Sequence, residues 1–276
     1  MTTKLAKLGI VAGAGELPLQ IAEACLSRSR DFHIIAIDEF APPIPSSFPH
    51  TRFKISKVGA CLRELKRTDC REVVFAGKFL RPQGPVKLRP DLGGLTFLVR
   101  YLGVLRRSDD GLHRAFADLM TRHGFRVVSP LDANPDLAAR QGCLTAIEPS
   151  AAHKASFQAM LGLAKSHGAS DEGQAIVVSD GAIVAREVRA GTDAMLAGLT
   201  TAQGKGAILV KAMKPNQLVS MDPPAIGEST VVNAAKAGLA GILVEAGRSV
   251  IVDEDRVRAR GDELGIFVYA DRIADQ

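Results

Sequence analysis

The first 130 residues alternate short apolar runs with stretches of helical spacing, and this alternation restricts the fold more than any other feature. LGIVAG (8–13), FHIIAID (32–38), REVVFAG (71–77) and FRVVSP (125–130) read as buried strands, with helical spacing over 17–28, 57–68, 94–105 and 110–123. Pro18 is tolerable in a first helical turn. Strands alternating with helices argue for parallel βαβ units, so an α/β fold with an N-terminal Rossmann-like parallel-sheet domain is expected over residues 1–135. In such sheets ligands bind beyond the carboxyl ends of the strands. That rule puts Gly13–Leu17, Asp38–Phe40 and Gly77–Arg81 along one edge.

The rhythm breaks at SPLDANPDLAARQGCLTAIEPS (129–150), whose Pro, Asn and Asp content predicts a linker over 136–150. A second α/β domain, assigned the catalytic role, is expected over 151–276. It opens with a helix at 151–167, and AIVVSDGAIVARE (175–187) has a central Asp-Gly between apolar runs, a strong hairpin signal. A hairpin within an α/β pattern makes the second sheet mixed. Helices are expected over 192–200, 231–241 and 254–264, with strands at GAILVKAM (206–213), ILVEAG, SVIVD and FVYA.

Composition narrows the function. At 46% hydrophobic and 24% charged residues the chain is an ordinary globular one, and no apolar run reaches the length of a membrane span. The opening segment reads as a buried strand, not a signal peptide, because Gly13, Gly15 and Glu16 interrupt it. Residues 1–135 hold 21 Lys+Arg against 13 Asp+Glu, a balance of +8; the remainder holds 14 against 17, a balance of −3. A basic first half suits an anionic partner. Nucleic acid is disfavoured, since there is no Trp and only two Tyr to stack on bases. The cysteines Cys25, Cys61, Cys70 and Cys143 form no CxxC pair, and the six histidines are scattered without metal-ligand spacing. No nucleophile motif points to covalent catalysis.

Several segments carry candidate chemistry. Gly13-Ala14-Gly15-Glu16-Leu17-Pro18 is a glycine turn into a helix, where backbone N–H groups and the helix dipole favour phosphate. Pro18 takes the third glycine place of the dinucleotide fingerprint, so a mononucleotide or diphosphate fits better than NAD. Lys78 and Arg81 follow the third strand as possible phosphate contacts. Asp91 and Asp109 stand before helices and read as caps. In the second half, Asp193, Asp222 and Glu245 are hard-oxygen donors, with Lys211, Lys214 and Gln217 nearby in sequence. Carboxylates and lysines together suit a Mg²⁺-bound phosphate, and ordinary turn and cap roles remain the alternative.

In one order along the chain stand Gly-Ala-Gly-Glu-Leu-Pro (13–18), Val-Val-Phe-Ala-Gly-Lys (73–78), Arg-Pro-Asp-Leu-Gly (89–93), Glu-x₄-Gly-Thr-Asp-Ala-Met-Leu (187–196), Lys-x-x-Lys-Pro-x-Gln (211–217), Asp-x-Pro-x-Ile-Gly-x-x-Thr (222–230) and Ala-Gly-Leu-Ala-Gly-Ile-x-Val-Glu-Ala-Gly (237–247). This series resembles the LpxI-type UDP-2,3-diacylglucosamine pyrophosphatases over nearly the whole chain. The resemblance implies hydrolysis of the substrate diphosphate to UMP and 2,3-diacylglucosamine 1-phosphate (lipid X), a step of lipid A biosynthesis in Gram-negative bacteria. It also implies Mg²⁺ or another divalent cation, a homodimer, and a cytoplasmic enzyme in peripheral contact with the inner membrane. Carried onto this sequence, it makes Asp222, Lys211, Lys214 and Asp193 catalytic, and Asp222, Asp193 and Glu245 metal ligands. Gly13, Ala14, Gly15, Glu16, Leu17, Lys78, Arg81, Gln174, Thr192, Gln217, Pro224, Ile226 and Gly227 become substrate contacts. Phe79, Leu80, Leu92, Leu95 and Phe97 are candidates for an acyl-chain cleft. Ala225 departs from the pattern, since the family carries a small polar residue there. A UDP-sugar transferase and a non-catalytic or disabled nucleotide-lipid binding protein remain alternatives at this stage.

Overall fold

The structure is a computed structural model that describes residues 5–79, 90–105, 109–170, 173–188, 190–214 and 223–273. Leu80, Arg81, Gln217 and Asp222 lie outside the described residues. The chain divides into two compact units, with a boundary between Pro135 and Asp136.

The first unit runs β1 (Leu8–Ala12), α1 (Leu17–Ser27), β2 (Phe32–Ile37), β3 (His50–Phe53), α2 (Val58–Arg67), β4 (Glu72–Ala76), α3 (Leu92–Leu105), α4 (Asp109–Arg122), β5 (Arg126–Val127) and α5 (Pro130–Ala133). Its sheet has the order β3-β2-β1-β4-β5, parallel throughout, which is the doubly wound arrangement expected. Every residue of β1, β2 and β4 is buried, as near-continuous apolar runs covered on both faces require. Helix α2 turns Leu62 and Leu65 to the core and its Lys and Arg residues outward. The short edge strand β3 is not among the expected strands, because HTRF carries no apolar run.

The second unit runs β6 (Gly142–Cys143), α6 (Ala151–Gly168), β7 (Ala175–Ser179), β8 (Ala182–Arg186), α7 (Gly191–Ala197), α8 (Thr201–Gly204), β9 (Ile208–Lys211), β10 (Ala225–Ile226), α9 (Glu228–Lys236), β11 (Gly241–Glu245), β12 (Val250–Ile251), α10 (Glu254–Leu264) and β13 (Phe267–Asp271). The main sheet is mixed, in the order β6-β13-β11-β9-β7-β8. Strands β13, β11 and β9 are parallel, whereas β6, and β7 with β8, add antiparallel pairs. The β7–β8 hairpin turns on Asp180 (φ 49°) and Gly181 (φ 77°), the left-handed pair that a two-residue turn needs.

Three boundaries differ from expectation for local reasons. The stretch 136–150 carries β6, paired with β13, and Ala139 donates to the Ser249 carbonyl at 2.9 Å, so it is part of the second unit's structure and not a linker. The helix expected over 192–200 stops at Ala197, with Gly198 at its C-cap, and a separate short helix, α8, starts beyond it at the capping box of Thr200 and Gln203. The helix expected over 231–241 starts earlier, at Glu228, and stops at Lys236, where Gly238 turns left-handed (φ 79°).

Candidate functional site

In the first unit the strand order reverses between β1 and β4, and the segments after both strands meet there. Ala14 and Lys78 exchange reciprocal backbone hydrogen bonds, each 2.9 Å, and Gly13 N–H donates to the Ala76 carbonyl at 2.7 Å. The glycines permit this crossing. A Cβ on Gly77 would lie 2.4 Å from the Ala14 carbonyl oxygen, and one on Gly13 2.7 Å from that of Lys78. Gly13 and Gly77 are therefore needed by chain packing, and Ala14 N–H is already occupied. Gly15 (φ 96°) faces open space, and Glu16 sits at the N-cap of α1 without capping it through its side chain. Glu16 and Leu17 thus lead into an eleven-residue helix whose amino end faces the carboxyl edge of the sheet, the arrangement that favours an anion.

The second unit concentrates its buried charge at the same kind of edge. Lys211 ends β9, Glu245 ends β11, and Gln174 and Glu187 flank the β7–β8 hairpin at the level of Lys211. Glu187, Lys211, Lys214 and Glu245 are all buried. Lys211 Nζ donates to Thr192 Oγ1 and to the Ala225 carbonyl, both at 3.1 Å. Thr192 Oγ1 donates in turn to Glu187 Oε1 at 2.7 Å. The other oxygen, Glu187 Oε2, accepts from the Gln174 backbone N–H at 2.7 Å. Of the expected site residues, Lys211, Thr192 and Gln174 therefore come together. Gln174 also has a buried side-chain oxygen with no hydrogen-bond partner among the described residues. Such an orphan acceptor is costly unless a donor reaches it.

At position 225 it is the backbone carbonyl, not a side chain, that meets Lys211. Pro224 and Ile226 are fixed by their own carbonyls, which accept from Val250 and Val252 at 2.7 and 2.9 Å. Gly227 is the N-cap of α9 and donates to Thr230 Oγ1 at 3.4 Å. Lys214 packs against α6, where Gly168 leaves it room: a Cβ there would lie 3.0 Å from Lys214 Cγ.

The acids have local partners. Asp193 accepts from the Asn233 side-chain amide at 2.9 Å, tying α7 to α9. Glu245 Oε2 accepts from Met213 N–H at 2.9 Å, while Oε1 faces Lys165 at 3.5 Å and Arg248 at 3.6 Å. Among the described residues no three His, Cys, Asp or Glu side chains form a group that could hold a metal ion. Those residues do not by themselves fit a magnesium ion held by protein alone.

Asp91 does cap α3, as expected, accepting from Gly94 N–H at 2.8 Å. It also caps α2, accepting from Gly59 and Ala60 N–H at 3.1 and 2.7 Å. Burial would raise its pKa, but the three N–H donors and Arg63 outweigh burial and hold it below the usual carboxylate value. The proposed acyl-cleft residues separate. Phe97 is core and stacks on Phe116, and Phe79 packs edge-on to Phe40 and Phe75. Leu92 and Leu95, by contrast, are 81% and 51% exposed, with Val99 at 75% on the same face of α3.

In the sequence Glu187 is only part of a motif and has no assigned role. No sequence signal singles it out: its place depends on a contact across the hairpin, where a Cβ on Gly173 would lie 2.5 Å from the Glu187 carbonyl oxygen.

A doubly wound unit followed by a mixed-sheet unit, with an anchored ammonium group at a carboxyl edge, defines a two-unit α/β enzyme equipped for an anionic substrate. The chain belongs to the LpxI family: the LpxI N-terminal domain matches residues 7–137 and the LpxI C-terminal domain residues 140–269. It is 35% identical over 270 residues to the UDP-2,3-diacylglucosamine pyrophosphatase LpxI of Caulobacter vibrioides, covering 95% of this chain and 96% of that protein. Among solved structures, CobK precorrin-6A reductase aligns over 99% of this chain and 90% of its own, with 11% identity and a TM-score of 0.34. The UDP-glucose 4-epimerase of Thermus thermophilus aligns over 96% and 85%, with 17% identity and a TM-score of 0.30. At those TM-scores neither likeness carries an argument.

Proposed function

We propose that this protein is a UDP-2,3-diacylglucosamine pyrophosphatase, releasing UMP and 2,3-diacylglucosamine 1-phosphate in lipid A biosynthesis. The observation that carries the reading is family membership in both units, with near full-length identity to a pyrophosphatase of that name. The buried Lys211 at the carboxyl edge of the second sheet supports it chemically. Cleaving a diphosphate builds negative charge on phosphoryl oxygens, and a pre-oriented ammonium group stabilises that charge without reorganising.

In this reading Lys211 and Lys214 of the second unit meet the diphosphate; in the first unit, taken by itself, the Gly15–Leu17 entry to α1 suits an anionic group of a nucleotide. Water attacks the sugar-side phosphorus, and UMP leaves. Asp222 and Asp193 would orient that water, and they are the residues that would contact a divalent cation, which would supply charge stabilisation at the diphosphate. The exposed face of α3 meets the acyl chains at the cytoplasmic surface of the inner membrane, in keeping with the basic first half. No helix among the described residues is long and apolar enough to cross a membrane. The enzyme works as a homodimer.

The test is hydrolysis of UDP-2,3-diacylglucosamine in H₂¹⁸O, with products read by mass spectrometry. The expected result is UMP and ¹⁸O-labelled 2,3-diacylglucosamine 1-phosphate, with activity lost on chelation and restored by Mg²⁺. Label in UMP would reverse the assigned point of attack. Absence of UMP release from the substrate would overturn the function.

A further inference from the structure

Glu187 is a buried carboxylate with a donor on each oxygen, and the reading above gives it no task. Burying a carboxylate is costly unless its oxygens are hydrogen-bonded. Here each oxygen receives one donor at 2.7 Å, the Thr192 hydroxyl on one side and the Gln174 N–H on the other. The backbone of Glu187 is fixed as well. Its N–H donates to the Ala175 carbonyl at 2.9 Å, and its own carbonyl accepts from His167 Nε2 at 3.0 Å. A carbonyl only accepts, so His167 carries its proton on Nε2. Gly173 leaves the space that this placement needs.

The consequence falls on Lys211. A hydroxyl has one proton. Glu187 takes that of Thr192, so only the threonine lone pairs face the Lys211 ammonium group at 3.1 Å. A second ammonium proton is directed to the Ala225 carbonyl, also at 3.1 Å. Two acceptors in fixed directions orient a group that otherwise rotates on a flexible stem.

We propose that Glu187 is a positioning residue for the hydrolytic reaction: through the Thr192 hydroxyl it sets the direction of the Lys211 ammonium group at the diphosphate. This rests on the reading in which Lys211 meets the diphosphate. The competing description is structural, with Glu187 serving only to hold the Gln174 backbone. The two differ at Thr192, which the structural description does not need.

The experiment measures kcat and KM on UDP-2,3-diacylglucosamine, with thermal melting, for Glu187→Gln, Thr192→Ser, Thr192→Val, the Glu187→Gln/Thr192→Val double variant and Lys211→Met. Misorientation of a charged group is expected to lower kcat by about tenfold or more while KM changes little. Thr192→Val and Glu187→Gln should each show that loss. Thr192→Ser, which keeps the hydroxyl, should restore near wild-type kcat, and the double variant should be no slower than Thr192→Val alone. Wild-type kcat in Thr192→Val, or multiplying losses in the double variant, would overturn the proposal. If Glu187→Gln fails to fold, the contrast between serine and valine at position 192 decides. Lys211→Met separates the two levels. Full activity there would sink the reading of Lys211 itself. An inactive Lys211→Met beside fully active Glu187 and Thr192 variants would sink only the positioning role.

Discussion

Each unit sets a glutamate, a threonine and a basic side chain in a row, and the two rows end differently. In the first unit Thr51 Oγ1 donates to Glu64 at 2.8 Å and lies 3.0 Å from His33 Nε2. In the second, Thr192 donates to Glu187 and accepts from Lys211. The first row ends on an imidazole whose pKa burial lowers, against a partial opposing pull from Glu64, so it is neutral at pH 7. It lies toward the amino end of β2, and Glu64 is braced from outside by Arg67. The second row ends on a buried ammonium group at the carboxyl edge. The same hydrogen-bonding device joins strands in one unit and points a charge in the other. Its place on the sheet and its last member, an imidazole in one and an ammonium group in the other, separate the roles.

The other buried charges repeat this division. Arg30 and Glu72 pair at the amino edge of the first sheet, where Arg126 also meets Glu72. A cavity of about 410 Å³ lies there, lined in part by Arg28, Arg30 and Glu72. In the second unit the buried charges are at the opposite edge, where parallel strands present ligands. The largest expected effect is therefore on turnover. Lys211→Met should lower kcat by about 10²–10³-fold, the usual loss for one stabilising donor, with little change in melting temperature. Glu72→Gln should do the reverse. It leaves Arg30 buried without its counter-charge, at a cost of roughly 3–5 kcal/mol, while kcat per folded molecule stays at wild type. Urea unfolding and steady-state assays on both variants check the pair. A Glu72 variant that loses turnover at full stability would erase the distinction between the edges.

The strands with the longest apolar runs and the Asp-Gly hairpin are legible in the sequence, because burial on both faces and left-handed turns restrict residue choice strongly. The strands β3, β6 and β10 are not, since they are short edge strands whose pairing is set by neighbours distant in the chain. For the site, motifs single out Lys211 and Thr192, but their contact depends on sheet register and is not visible in either motif. Glu187 is harder still. Its importance arises from Gly173 and Gln174 across the hairpin, contacts that no local spacing encodes. The glycine turn at Gly13 shows the opposite limit. It reads as phosphate chemistry, and half of it serves the crossing with Gly77 and Lys78.

A smaller effect tests the apolar face of the first unit. Leu95→Asp places a charge between exposed Leu92 and Val99 without opening the core. The expected outcome is an unchanged melting temperature and a KM raised about tenfold for substrate presented in vesicles, with a lesser change for a short-chain analogue. Equal KM shifts for both substrates would remove the membrane from the account of α3.

The smallest effect concerns the Glu64 row and has a definite pH window. Hydrogen bonds from Arg67, then from Thr51, hold Glu64 down at about 2, against 4.5 for the free side chain, although burial opposes them. A carboxylate whose pKa is depressed by folding contributes stability that is fully present above its unfolded value. That stability is lost as pH falls through the folded value. For Glu64 the loss runs from pH 4.5 down to about 2. Glu64→Gln should therefore melt a few degrees lower at pH 7, and the gap to wild type should close across that window. Melting curves at half-unit steps from pH 7 to pH 2 measure it. Arg67 is largely exposed, so salt should shrink the gap at pH 7 as well. No such salt sensitivity is expected for Glu187, whose partners are a hydroxyl and a backbone N–H inside the second unit. A gap for Glu64→Gln that persists unchanged at pH 2 would mean that its side chain acts by packing, and the two rows would then share geometry without sharing electrostatics.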